Sequence, residues 1–142
     1  MKNRKGTVND YKTILNVWEK SVEATHHFLK VEDKEEIKKE IPMYLPNLDI
    51  RMWYDKNVLV GFLVINQNHL EMLFLDPNEI GKGYGKQIIQ LLINDFGIKT
   101  VDVNKDNENA KKLYLKNGFS IVSEKPIDNS GCPYPILHLK LK

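Results

Sequence analysis

At 142 residues, 42% of them hydrophobic, the chain suits one compact domain, 1–142, with a substantial core. No run of about 18 apolar residues is present, which argues against a membrane-spanning helix, and the polar start MKNRKGTVND does not read as a secretory signal. A net charge of +2, from 21 basic and 19 acidic residues, argues against a general nucleic-acid binder, and the single cysteine, Cys132, excludes an internal disulfide framework. The expectation is a cytoplasmic protein with no nucleic-acid or membrane partner.

After a short basic start, Thr7 or Asn9 offers a helix N-cap, and Ile14, Leu15, Val17, Trp18 and Val22 follow at helical spacing. Glu32 to Ile41 predicts a charged surface helix with few apolar positions, ended by Pro42. LDIRMWYD and NVLVGFLVINQ read as two strands around the turn Asp55-Lys56-Asn57, and HLEMLFLD as a third, closed by Pro77. The stretch DPNEIGKGYGKQ leads into a helix through Asp95, followed by a short strand, KTVDV. Asn107 opens another helix, with Ala110, Leu113 and Tyr114 on one side and Gly118 as the C′ residue. FSIVSE and YPILHLKL supply the last two strands. The order α-α-β-β-β-α-β-α-β-β gives an α+β (mixed α/β) chain, a mixed sheet with helices packed on it.

Gly81, Gly83 and Gly85 lie between a strand and a helix, where free amides and the positive helix end point the same way and suit an anion. Glycine also lets the backbone approach a phosphate without a Cβ in between. The stretch fails the P-loop pattern at Lys86 and Gln87, and fails GxGxxG at Lys86. On these residues alone a plain turning role stands level with phosphate binding, to which Lys82 and Lys86 would add charge.

Taken together, LFLDPNEIGKGYGKQIIQLLI and NENAKKLYLKNGF resemble the GNAT family of N-acetyltransferases. Its loop signature, Arg/Gln-x-x-Gly-x-Gly/Ala, falls on Ile80-x-x-Gly83-x-Gly85, matching both glycines and departing at Ile80. SVEATHHFL and GCPYPILHL also resemble a small bacterial acetyltransferase subgroup. The resemblance implies the GNAT fold, a central, mostly antiparallel sheet of six to seven strands flanked by about four helices. It implies acetyl-CoA as co-substrate, its diphosphate on the amides of Gly81, Lys82, Gly83, Tyr84, Gly85 and Lys86. The pantetheine arm would run along Leu73, Phe74 and Leu75, with Asn107 contacting it. Ile80 removes a side-chain contact, so weaker or rearranged binding is expected there. Asn104 stands as either a further CoA contact or a polar strand end.

The resemblance places Tyr114 near the thioester sulfur, where a departing thiolate is better expelled beside a proton donor. With a reference pKa of about 10, its phenol is protonated at neutral pH. The amine must lose a proton, and His69 and Glu71, spaced i, i+2 on a strand, share one face as candidate bases; a water chain would also serve. Thr25, His26 and Phe28 stand where the family has its substrate-facing loop and either line the acceptor pocket or form a helix end packed by Phe28 and Leu29, and Tyr134, between two prolines, either closes the same pocket or packs. Cys132 has no acid or histidine beside it, which favours direct transfer in a ternary complex over an acetyl-enzyme. Adjacent His26 and His27 rarely share one ion, so with His69 they make no expected metal site. The reading is an acetyl-CoA-dependent N-acetyltransferase, monomer or homodimer, acting on a small amine, a protein N-terminus or a lysine. Its rivals are a non-catalytic acyl-CoA sensor and a regulatory partner protein.

Overall fold

Alternating apolar residues build a meander of three antiparallel strands, β2 (Asp49–Asp55), β3 (Val58–Asn66) and β4 (His69–Leu75). Lys56 and Asn57 turn the first hairpin with φ of 52° and 68°, a two-residue turn whose twist matches the strands it joins. The computed structural model describes residues 1–128 and 131–142. A further strand, β1 (Lys2–Lys5), pairs with β2 where the sequence shows only a basic start. All four of its residues are exposed, so no apolar alternation announces it; it is held by backbone pairing and by Arg4. That guanidinium donates to both carboxylate oxygens of Asp10 (2.8 and 2.7 Å) and to the Tyr54 hydroxyl (2.9 Å). Asp10, held by Arg4 well below the usual carboxylate range, also accepts the Thr7 amide (2.8 Å) in the turn that opens the first helix.

With β5 (Thr100–Asn104), β6 (Phe119–Lys125) and β7 (Ile136–Leu141), the sheet has the order β1-β2-β3-β4-β5-β7-β6, antiparallel throughout except between β4 and β5. Helices α1 (Tyr11–Thr25) and α2 (Val31–Tyr44) cover one face, burying Ile14, Val17, Trp18 and Val22 against Met52 and Phe62. Helices α3 (Tyr84–Asp95) and α4 (Glu108–Lys116) cover the other, with Ile88, Ile89 and Leu92 against Val101, Leu137 and Leu139. These seven strands and four helices are the expected α+β architecture. Pro42 does not end α2 as expected. It lacks an N–H only in the last turn, where the Leu45 amide still reaches the Ile41 carbonyl and the buried Leu45 side chain holds the end down. Among the described residues no helix is long and apolar enough to cross a membrane.

The feature that positions the site is the parting of β4 from β5. They pair at only two positions, His69↔Thr100 and Leu70↔Val101, and then separate. At that point β4 carries a bulge: its register with β3 steps from Ile65↔Leu70 to Val64↔Met72 and leaves Glu71 unpaired. The extra residue reverses the alternation, so Leu70 and Leu73 face the α3/α4 core while Met72 and Phe74 face the α1/α2 core. Leu73 therefore does not continue the face of His69 as an i, i+4 spacing on a regular strand predicts, whereas Glu71, at the bulge, reaches the side chain of Asn66 (3.4 Å), the register partner of His69. Further along, β3 and β4 press so closely that a Cβ on Gly61 would overlap the Phe74 carbonyl oxygen. A Gly61→Ala variant is expected to lose about 1–3 kcal/mol of stability in urea unfolding, because backbone, not a flexible side chain, must give way. An unchanged midpoint would show that the strands relax freely here.

Candidate active site

The loop between β4 and α3 presents an open set of donors. Asp76 accepts the Asn78 amide (3.0 Å) and starts a short 3-10 turn, Pro77–Glu79. Gly81 and Gly83 then adopt φ of 87° and 83°, left-handed backbone that glycine takes without penalty. Gly83 stands at the head of α3 without a side-chain cap. Among the described residues the amides of Gly81, Lys82, Gly83, Tyr84, Gly85 and Lys86 have no acceptor, whereas the next, Gln87, reaches the Gly83 carbonyl. Lys82 pairs with Glu79 (3.1 Å), but Lys86 has no ion pair among the described residues. Two contacts fix the loop's base. The Tyr84 hydroxyl donates to Asp55 (2.7 Å), and Gly85 lies where a Cβ would come 2.9 Å from the Leu113 side chain. Free amides, a positive helix end and an unpaired ammonium make an anion seat.

From this seat a groove runs along Leu73, Phe74 and Leu75 to Asn107, Ala110 and Tyr114, with Ile80, 41% exposed, on its wall. Asn107 uses its side-chain oxygen to cap α4 at the Ala110 amide (3.3 Å). Tyr114 is 5% exposed and edge-on to Phe119; burial raises its phenol pKa, so it stays protonated. Its hydroxyl has no partner among the described residues. The groove continues into the slot between β4 and β5, lined by Glu71, Asp102, Asn104, Asn107 and Tyr114. Asn104 thus lies at the slot rather than merely ending a strand.

On the far side is a second cavity of about 200 Å³, walled by Trp18, Phe28, Ile37, Met72, Phe74 and Tyr134. Tyr134 donates to Asp33 and accepts the Lys30 amide (3.0 Å), which ties the segment before β7 to the start of α2. Cys132 is beside the same Asp33, and burial together with the nearby carboxylates pushes its thiol pKa up, away from thiolate. His26 lines both cavities and the slot, while His27 is exposed. The Thr25 hydroxyl donates to the Ser21 carbonyl (2.7 Å), so at its 2.7 Å contact with His26 it must accept from Nδ1–H. That fixes the tautomer, leaves the Nε2 lone pair unbound, and makes Thr25 a positioning residue. Burial, with His27 adding to it, lowers the His26 pKa to about 4.

Glu71 lies at the mouth of the slot, its carboxylate 3.4 Å from the Asn66 amide group. His69 does not line the slot; it bonds Thr100 through Nδ1 (2.6 Å) and meets Asp102 through Nε2 (3.2 Å). Sequence reasoning missed Asp102, His138 and Asp33. The alternation of Asp102 with Val101 and Val103, and of His138 with Leu137 and Leu139, signalled polar residues on one face of two strands. The register that sets Asp102 opposite His138 is not written in either strand.

Residues 16–139 match the family model described as Acetyltransferase (GNAT) domain. The peptidyl-lysine N-acetyltransferase YjaB of Escherichia coli K12 is 32% identical over 129 residues, 89% of this chain and 86% of that protein. YjaB of Salmonella typhimurium LT2 is also 32% identical over 129 residues, 89% and 88% of the two chains. The solution structure of apo YjaB from E. coli superposes with a TM-score of 0.87 at 29% identity, covering 98% of this chain and 95% of that one. A structure of PaiA N-acetyltransferase from Thermoplasma acidophilum in complex with coenzyme A does so at 0.62, 25% identical and covering 98% of each chain.

The low basicity of His26 has a consequence for stability. Its folded pKa, about 4, lies below the ordinary value of 6.5, so the unfolded chain binds a proton that the folded chain refuses between those values. Its contribution is present above pH 6.5 and is lost as pH falls toward 4. The stability difference between wild type and His26→Gln, from urea unfolding, is therefore expected to shift against wild type between pH 7.5 and 5. A difference that does not change with pH contradicts a buried neutral imidazole.

Proposed function

The chain belongs to the GNAT acetyltransferase family, an N-acetyltransferase with acetyl-CoA as co-substrate, and we propose that it acetylates protein lysine side chains by direct attack in a ternary complex. The observation that carries the reading is the row of six unbonded amides, Gly81 to Lys86, at the head of α3, continuous with the unpaired edge of β4. The amides and Lys86 hold the diphosphate. The backbone of Leu73 to Leu75, with no partner strand on its β5 side, takes the pantetheine amides as an added strand would. Ile80 contributes apolar wall and no charge, so the backbone carries the anion.

The thioester then lies in the slot beside Tyr114. The lysine stem fits the apolar cavity between α1, α2 and Tyr134, and its amine arrives at the His26 end. His26 Nε2, neutral and open, accepts a hydrogen bond from the amine and aligns it. Glu71, at the mouth of the slot, takes that proton through water. The nitrogen lone pair attacks the carbonyl carbon, a C–N bond forms, and the tetrahedral intermediate collapses with cleavage of the C–S bond. The departing thiolate takes its proton from Tyr114, and the second proton of the attacking nitrogen returns through water to the tyrosine oxygen, leaving the amide and the free thiol. His69, engaged with Thr100 and Asp102, stands outside this path, and the protonated Cys132 thiol speaks against an acetyl-enzyme. The lysine acceptor draws support from the relatives named peptidyl-lysine N-acetyltransferase.

A second reading, a non-catalytic acyl-CoA sensor, is favoured by Ile80 where the family has Arg or Gln. Replacing Tyr114 with Phe separates the two. For the enzyme, kcat on a lysine peptide is expected to fall by about 10²–10⁴-fold while the acetyl-CoA Kd stays near the wild-type value. Unchanged kcat removes Tyr114 from the chemistry. Firm acetyl-CoA binding by the wild type without transfer to a panel of lysine peptides supports the sensor.

A further inference from the structure

Beside the slot, three strands bring three metal-ligating side chains to one level of the sheet. His69 on β4, Asp102 on β5 and His138 on β7 stand on the face opposite the α3/α4 core, since Leu70, Val101, Val103, Leu137 and Leu139 alternate with them into that core. Asp102 and His138 are register partners, and His69 pairs with Thr100 two residues before Asp102. One carboxylate serves both imidazoles: Asp102 Oδ1 is 2.7 Å from His138 Nδ1 and Oδ2 is 3.2 Å from His69 Nε2. The rings stack at 5.7 Å with an interplanar angle of 26°. The remaining nitrogen of His69 bonds the Thr100 hydroxyl (2.6 Å), which turns Nε2 toward the carboxylate.

We propose that His69, Asp102 and His138 form a binding site for a divalent first-row transition-metal ion of the Zn²⁺ class. Two imidazole nitrogens and one carboxylate oxygen are a donor set suited to such ions. One ligand atom from each residue lies within 4.8 Å of the others. Tetrahedral Zn²⁺ with bonds of about 2.0–2.1 Å holds its donors roughly 3.4 Å apart, so side-chain adjustment on three paired strands suffices. Thr100 supplies the outer hydrogen bond that fixes a metal-binding imidazole. With side-chain exposures of 38% for Asp102 and 40% for His138, a fourth position stays open to water. Because Asp102 also lines the slot, a bound dication places positive charge where a lysine ammonium enters. Loading then raises KM for a lysine peptide and leaves acetyl-CoA binding alone. That consequence, unlike the site, rests on the lysine reading.

The test is calorimetric titration of the full chain with Zn²⁺, supported by the d–d absorption of Co²⁺. Wild type is expected to bind one ion per chain and to give a tetrahedral or five-coordinate Co²⁺ spectrum. His138→Gln and Asp102→Asn, each checked for a wild-type melting curve, should weaken binding by at least about tenfold, since even an outer partner costs that much. Absence of binding to the wild type overturns the proposal without recourse to any variant, leaving a purely hydrogen-bonded trio. Binding that survives in the His138→Gln/Asp102→Asn double variant also overturns it, placing the ion elsewhere. If the site binds Zn²⁺ and KM for the peptide does not move, the metal site stands and its effect on lysine entry fails.

Discussion

Everything at the site depends on two strands that begin as a pair and do not remain one. Two parallel positions, His69↔Thr100 and Leu70↔Val101, are enough to anchor β5 in the sheet. Beyond them β4 keeps its bonds to β3 and leaves its other edge open. An unpaired strand edge is ordinarily a liability; here it is recessed between α1 and α4, where a thin, amide-bearing ligand can reach it and another chain cannot. The bulge at Glu71 marks the departure, turning Leu73 toward one core and Phe74 toward the other, so both walls of the opening stay packed.

The opening divides the reaction's electrostatics between its two ends. In the proposed complex, negative charge on the coenzyme meets backbone dipoles at the head of α3, where among the described residues no side chain competes for the amides. At the reacting end the protein keeps its groups neutral: Tyr114 protonated by burial, His26 unprotonated by burial. Both then act through directed hydrogen bonds, and the Ser21–Thr25 chain decides which nitrogen of His26 faces the ligands. The charged carboxylates, Glu71 and Asp102, stand at the mouth, where water still reaches them.

The fold was legible in the sequence because its elements are locally consistent. The helical spacing of Ile14, Trp18 and Val22, the alternation in VLVGFLVIN and the glycine at 118 all carry their structure in a few residues. β1 was not legible, since its four exposed residues are held only by pairing and by Arg4. The glycine loop at the head of α3 and Tyr114 were singled out through a family resemblance that short motifs carry. The faces on which Met72, Leu73 and Phe74 stand were not, because one bulged residue reverses every side chain after it. Nor was the meeting of His69, Asp102 and His138, which depends on the register of three strands that are far apart in the chain.

The central claim is that the amides of residues 81–86, to which Lys86 adds charge, form the seat of the coenzyme's diphosphate. Amide ¹H–¹⁵N spectra of the labelled protein, titrated with coenzyme A and separately with pantetheine, test it most directly. The account predicts large, saturable shifts at Gly81 to Lys86 with coenzyme A and small ones with pantetheine, which lacks the diphosphate. It also predicts that Leu73 to Leu75 respond to both. Saturation by coenzyme A with Gly81 to Lys86 unmoved would contradict it.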